Sequence, residues 1–210
     1  IEFYGKEKIG RMLLKLAPPV MLAQLIQALY NIVDSLFIGR FSDNGLTALS
    51  IVYPLQLLMI ALAVGTGVGI NTVIAAKLGE GREKESNEYA GIGTPLAALL
   101  WFLFALICWL IMPAYARMST KSEAIIQNVI IYGRIVCVFS FGLFFGICFE
   151  RMMQATGNTV LSMVTQLTGA VINIILDPIM IFGLLGFPAM GVAGAAIATV
   201  IGQIGGMTLG

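Results

Sequence analysis

Six long apolar runs most limit what this chain can fold into. A helix needs about 20 predominantly apolar residues to cross the hydrocarbon core of a bilayer, and each run approaches or exceeds that length. Only 11% of the residues are charged, against roughly a quarter in an ordinary soluble domain. The sequence therefore predicts an all-α polytopic membrane protein with six transmembrane helices, at about residues 12–38, 46–76, 89–112, 125–153, 160–182 and 192–209.

Basic residues predict how these helices are oriented. Most of them lie at one set of helix ends, which includes the N-terminal segment: Lys6, Lys8, Arg11, Lys15, Lys77, Arg82, Lys84 and Arg151. The opposite helix ends carry only Arg40, Arg117 and Lys121. Because loops rich in Lys and Arg stay in the cytoplasm, we expect both termini to be cytoplasmic in a multi-pass protein of the cell (inner or plasma) membrane.

Residues 1–11 would form a cytoplasmic N-terminal segment, and residues 12–210 the six-helix lobe. The segment is either a plain anchor or an amphipathic stretch on the membrane surface. We expect contact with membrane lipids and no nucleic-acid partner. Because the sequence begins at Ile1 and ends at or within a helix, we expect a piece of a longer polypeptide rather than a complete protein.

Residue types exclude several chemistries. The chain has no histidine, which excludes histidine metal sites, Ser-His-Asp catalysis and histidine pH sensing. Cys108, Cys137 and Cys148 lie in predicted spans without CxxC spacing, so we interpret them as packing residues. We expect no cofactor, and carboxylates would have to handle any proton.

The first predicted helix carries polar residues on one face. Gln24, Gln27, Asn31 and Asp34 follow one another at intervals of three, four and three residues. Amides alone would suit hydrogen bonding between helices. An ionisable Asp costs about 2.5 to 3.5 kcal/mol near the centre of a membrane helix, so Asp34 indicates a function beyond packing.

The fifth predicted helix raises the same question at Asp177. Asn173 precedes it by four residues and therefore lies on the same face. Pro178 has no N–H, so the carbonyl of Ile174 loses its helical partner and becomes a free oxygen ligand. The pattern indicates either a ligand site or a proline kink beside a satisfied aspartate. Both aspartates fall in the outer half of their helices, where they can face each other.

Small residues predict close packing of the sixth helix. They recur at intervals of three and four: Gly191, Gly194, Ala195, Ala198 and Gly202. Thr199 and Gln203 are the polar side chains of this helix. In the second helix Gly65 and Gly69 have the same interval, which favours packing or a flexible bend.

Charged residues of the fourth helix have two interpretations each. Arg134 is either inside the span or at the interface. Glu150 and Arg151 pair with each other or with the inner loops, as a gate or as a plain interfacial ion pair.

Five segments in this order and spacing resemble the N-terminal half of the MATE family, the multidrug and toxic compound extrusion antiporters. They run from the first helix to the sixth: "LAPPVMLAQLIQALYNIVDSLFIGR", "AAKLGEGREKESNEYAG", "RMMQATGNTVLSM", "NIILDPIMIFG" and "GVAGAAIATVIGQ". The resemblance implies one six-helix lobe of a twelve-helix transporter. The second lobe would be part of the same polypeptide or a second copy.

The resemblance also implies roles for individual residues. Asp34, Asn173, Asp177 and Thr199 would form the site for the coupling ion, which is H+ or Na+, and Na+ would bind these four. Gln24, Gln27 and Asn31 would line the cavity for a small-molecule substrate. The fourth helix departs from some members of the family, because its only polar residue near the site is Ser140.

The implied function is cation-coupled antiport that expels organic, cationic compounds, without enzyme activity. One alternative is a lipid-linked oligosaccharide flippase of the same superfamily, for whose arginine-rich cavity only Arg134 is a candidate. Another is an intramembrane aspartyl protease, although its GxGD-type motif is absent. A third is a non-transporting binding or assembly subunit, which the length of the chain would suit.

Overall fold

The computed structural model describes residues 9–209, which form seven helices. We number these helices in chain order: α1 Ile9–Phe41, α2 Asp43–Gly79, α3 Glu83–Ser119, α4 Glu123–Val138, α5 Phe141–Ala155, α6 Thr159–Phe182 and α7 Val192–Met207. No strand occurs among the described residues. The prediction of an all-α membrane bundle is confirmed. The alternative of a surface-bound N-terminal segment concerns residues that lie almost entirely outside this range.

The chain forms six apolar helical segments in succession, as the hydropathy predicts. Two of them, the fourth and the sixth, differ from the single long helices that were expected. Four helices, α1, α2, α3 and α6, are long and apolar enough to span a membrane. The fourth segment is not one helix, because α4 and α5 meet at a bend of 40°. The sixth, α7, has 16 residues, which is short for a full crossing.

The break between α4 and α5 occurs in the middle of an apolar run and is stabilised by side chains. Ser140 donates its hydroxyl to the carbonyl of Cys137 at 2.7 Å. Trp101 of α3 donates its indole N–H to the carbonyl of Val138 at 2.9 Å. Since lipid offers no hydrogen bonds, carbonyls released by a bend need partners inside the protein. The predicted polar residue Ser140 therefore serves the backbone.

Small residues bring α6 and α7 into backbone contact. A Cβ added at Gly202 would lie 2.8 Å from the carbonyl oxygen of Gly169. One added at Gly194 would overlap the carbonyl of Met180. The predicted close packing of the sixth helix is confirmed, because only a residue without a side chain fits at these contacts.

For the second helix the prediction was packing or a flexible bend, and the described residues make no packing contact at the two glycines named. Gly65 and Gly69 face open space, with no atom within 4 Å of an added Cβ among the described residues. Gly67, between them, packs against the side chain of Arg151 instead. The four-residue interval was present, but the contact lies on the other face of α2.

The helices form two connected groups around α6 and α7. On one side α1 packs against α6. There the rings of Phe37 and Phe41 contact the ring of Phe182 edge-on, with ring centroids 6.2 and 6.1 Å apart. On the other side α4 and α5 pack against α7 and continue into α2 and α3. Large apolar side chains on the outer surface of α3 are exposed, as expected for a surface that faces lipid: Leu99, Phe102, Leu106, Ile107, Trp109 and Leu110.

Candidate functional site

The centre of the candidate site is a polar cluster between α6 and α7. Asn173 lies within 3.4 Å of both the Asp177 carboxylate and the Thr199 hydroxyl. With its amide turned over, Asn173 donates to Asp177 Oδ2 at 3.3 Å and accepts from the Thr199 N–H at 3.2 Å. In either orientation, Asn173 connects the carboxylate of one helix to the threonine of the next.

Glycine explains why α7 can bring Thr199 this close. A Cβ on Gly202 would lie 3.1 Å from the Cβ of Asn173, so any larger residue would push the two helices apart. Thr199 precedes Gly202 by three residues and therefore lies on the same side of α7. The polar cluster depends on the small-residue contact beneath it.

Asp177 is fully buried in this cluster, with 0% of its surface exposed. The helix α6 continues through Pro178 to Phe182. Pro178 supplies no N–H to the backbone, so the carbonyl of Ile174 lacks its usual helical donor. Asp177 therefore lies where a carboxylate, an amide and a released carbonyl occur within one turn.

Asp34 approaches the cluster from α1. It is 6% exposed, and its Oδ1 is buried without a hydrogen-bond partner among the described residues. It lies one turn before Phe37, which packs on α6, and it lines one cavity together with Thr199. A buried acceptor left without a partner costs about 1 to 3 kcal/mol, and more when it is charged. The arrangement is that of a ligand atom whose partner comes from outside the chain.

A cavity of about 460 Å3 adjoins Asp34. The polar residues predicted for the first helix, Gln24, Gln27 and Asn31, all line it. Asn31 donates to the carbonyl of Gln27 at 3.0 Å, which holds the amide along the helix. The volume lies within the roughly 300 to 1,000 Å3 typical of small-molecule pockets.

Sequence reasoning missed several polar residues of this cavity. They come from α1, α2 and α4: Tyr30, Ser50, Tyr53, Gln56 and Tyr132. Gln56 donates to the hydroxyl of the buried Tyr132 at 3.3 Å, which connects two helices behind the cavity. Gln56, one of two amides within its apolar run, was the signal that could have pointed to this wall.

Glu150 and Arg151, which were predicted to pair with each other or with the inner loops, are joined through a third side chain. Gln154 donates to Glu150 Oε1 at 2.9 Å and accepts from Arg151 Nη1 at 2.8 Å. Asn71 of α2 donates to the carbonyl of Arg151 at 2.7 Å. These contacts connect α2 to the C-terminal part of α5.

Arg134 lies away from the candidate site. Its guanidinium stacks on the ring of Trp109, 4.4 Å from the ring centroid, and it lines neither of the two cavities described here. The described residues contain no group of three or more His, Cys, Asp or Glu side chains suited to a metal ion. That search does not cover the four predicted site residues, because only two of them, Asp34 and Asp177, are carboxylates. The other two, Asn173 and Thr199, carry a neutral amide and a neutral hydroxyl.

Two buried carboxylates, Asp34 and Asp177, inside a bundle of apolar helices define a polytopic membrane protein with ionisable groups in its interior. The particular family follows from comparison with known proteins. The chain belongs to the MatE family, whose family model matches residues 19–179.

Curated relatives and a solved structure agree with this assignment. The chain is 26% identical to the "FAD transporter" of Shewanella oneidensis over 96% of this chain and 44% of that protein. It is 27% identical to the "Probable multidrug resistance protein YoeA" of Bacillus subtilis over 95% of this chain and 43% of that one. A MOP superfamily transporter from Pyrococcus furiosus superposes with a TM-score of 0.88 at 25% identity, over 94% of this chain and 43% of that one. The chain thus spans less than half the length of the relatives it matches.

Proposed function

We propose that this chain is one lobe of a cation-coupled antiporter that expels organic, cationic compounds across the cell membrane. The observation that carries the proposal is the buried, unpartnered carboxylate oxygen of Asp34 beside a cavity of about 460 Å3. A carboxylate in a low-dielectric site attracts positive charge strongly. The printed name of the Bacillus subtilis relative, a probable multidrug resistance protein, supports the same activity.

The coupling follows from competition for the same oxygens. A proton or Na+ bound by Asp34, Asn173, Asp177 and Thr199 neutralises the charge that an organic cation in the cavity needs. Either ligand then favours the conformation that binds it better, which is the only way a ligand can drive a conformational change. Export results when the two conformations open on opposite sides of the membrane.

The second half of the cavity belongs to another six-helix lobe in this proposal. The relatives are more than twice as long as the matched region, and Gln24 and Asn31 are exposed although they line the cavity. A second lobe, in the same polypeptide or a second copy, would cover them. Both termini of the present lobe would lie in the cytoplasm, and no covalent chemistry is involved.

Two rival functions receive less support from the site. A flippase for pyrophosphate-linked lipids needs positive charge in its cavity, but Arg134 is stacked on Trp109 outside it. The second rival is transport of FAD, after the name of the Shewanella oneidensis relative. FAD carries negative phosphates, which Asp34 would repel. The charge of the cavity therefore favours cationic over anionic substrates.

Replacing Asp177 by Asn tests the proposal. The substitution removes one charge without changing the size of the side chain. We expect cation-driven efflux of a fluorescent organic cation from proteoliposomes to fall at least about tenfold, because one tenfold step corresponds to only about 1.4 kcal/mol. The matched control is Asp43→Asn, at the exposed start of α2, which should transport normally. Wild-type efflux by Asp177→Asn would refute the assignment.

A further inference from the structure

A second, smaller cavity extends from the polar cluster toward the opposite end of the bundle. It measures about 110 Å3 and lies between α1, α5, α6 and α7. Asn173 and Thr199 line one end, and Glu150 and Gln166 line the other. Seven residues of helix separate Asn173 from Gln166, so the cavity runs about 10 Å along α6.

Glycines create this space. Five of them line it, from three helices: Gly142, Gly146, Gly169, Gly202 and Gly206. At Gly146 an added Cβ would meet only Met207, at 3.8 Å, so the room beside it is unfilled. Apolar side chains such as Leu143 and Ile147 form much of the wall, and polar side chains bring oxygens to it from Glu150, Thr165, Gln166 and Gln203.

Two of those oxygens have no partner. Gln166 Oε1 and Gln203 Oε1 are both buried without a hydrogen bond among the described residues. Glu150, which is 5% exposed, lines the same cavity. Buried amide oxygens left unbonded each cost about 1 to 3 kcal/mol. Two such atoms around one cavity with a carboxylate at its end indicate a ligand that accepts oxygen lone pairs.

The chemistry and the size point to a small metal cation. Amide oxygens are good ligands for hard cations, whereas a proton relay uses groups that both donate and accept. A volume of about 110 Å3 has room for an ion and a few waters, each of which takes about 30 Å3. It is well below the roughly 300 Å3 at which pockets for drug-sized molecules begin.

We propose that this cavity is an inner Na+ site, in which Glu150 and the amide oxygens of Gln166 and Gln203 bind the ion. The ion reaches it from Asn173 and Thr199, whose side chains line its outer end. The inference rests on the proposed cation-coupled function and adds a second ion position to it. Gln154 holds the Glu150 carboxylate in place through its hydrogen bonds to Oε1 and to Ser162.

Equilibrium binding of radioactive Na+ to the purified full-length protein tests this site. We expect Glu150→Gln to bind one Na+ fewer per polypeptide than the wild type, and Asp177→Asn to lose a different one, so that the double variant loses two. A Glu150→Gln variant that binds as many ions with unchanged affinity overturns the inference. So does a wild type that binds no Na+, a result that leaves proton-coupled efflux through Asp177 intact.

Two matched pairs separate ion binding from folding. Glu88→Gln makes the same chemical change at an exposed position of α3 and should bind as the wild type does. Gly146→Val fills the cavity, because an added Cβ there makes only ordinary contacts with Met207, at 3.8 and 3.9 Å, and it should weaken the inner site at least about tenfold. Gly65→Val adds the same side chain in open space and should not. Loss of one ion in Glu150→Gln but none in Asp177→Asn would support the inner site and contradict the proposed coupling at Asp177.

Discussion

At the scale of single residues, the two aspartates are not equivalent. Asp177 is held by Asn173, which in turn contacts Thr199. Asp34 has one buried oxygen without any partner among the described residues, and it borders the large cavity. In the proposed site, Asp34 is therefore the position at which a ligand gains the most, and Asp177 is already held in place by Asn173.

Replacing Asp34 by Asn separates its binding role from its cost to the fold. We expect the thermal midpoint of the ligand-free protein to rise, because a buried carboxylate without a partner destabilises by about 1 to 3 kcal/mol or more. We expect affinity for an organic cation to fall at least about tenfold. Thermal unfolding and titration calorimetry on the same preparation measure both. A lower midpoint with unchanged affinity would show that Asp34 has a purely structural role.

The sequence predicted these aspartates because their cost in a membrane is large and visible in any apolar run. Asn173, Asp177 and Thr199 lie in contact, and Asp34 lines a cavity together with Thr199. Tyr132 could not be predicted in the same way. Tyrosines are ordinary in membrane helices, and only the fold shows that Gln56 reaches this one.

At the scale of helices, the α6–α7 contact brings two backbones together without intervening side chains. Its backbone groups touch at Gly169 and Gly202, with no side chain between them to change rotamer. Packed contacts of this kind resist continuous deformation. The polar cluster of Asn173, Asp177 and Thr199 lies directly on this contact. The close approach of the two helices therefore sets the positions of its three side chains.

Replacing Gly202 by Ala tests this contact. The new Cβ would lie 2.8 Å from a backbone oxygen that cannot move alone, so we expect a loss of about 1 to 3 kcal/mol in stability. Gly65→Ala, in open space on α2, is the control and should be neutral or stabilise, since Ala favours helix by about 0.5 to 1 kcal/mol over Gly. Denaturation in detergent compares the two. Equal effects would contradict close packing at Gly202.

At this scale, the sequence correctly predicted the long helices but not the break between α4 and α5. The hydropathy pattern gives the length of each apolar segment, so the long helices were predictable. The break after Val138 was not, because the apolar run continues through it and its acceptor is satisfied by Trp101 from another helix. The misplaced contact at Gly65 has a related cause, since spacing alone does not say which face of a helix meets a neighbour.

At the scale of the whole molecule, the basic residues of the loops predict an orientation in the membrane. The distribution of Lys and Arg predicts that the loop between α2 and α3 is cytoplasmic and the loop between α3 and α4 external. Both loops contain exposed basic residues, among them Arg82 and Lys121. The three native cysteines are buried, so a new cysteine in either loop can be labelled selectively.

Cysteine labelling in intact cells checks this orientation. We expect Lys121→Cys to react with a membrane-impermeant maleimide added outside, and Arg82→Cys to react only after the membrane is opened. The wild type, with Cys108, Cys137 and Cys148 buried, is the control for background labelling. The reverse pattern would invert the proposed direction of export.

The glycine-lined walls of the inner cavity also limit how this protein can change by mutation. Every substitution of Gly142, Gly146 or Gly206 adds atoms to the wall, so no single change at these positions can widen the passage. Any substitution at these glycines can therefore only make the cavity narrower. A lineage that came to conduct a larger ion would therefore have to do so through changes elsewhere, while selection kept these positions at the smallest residue available.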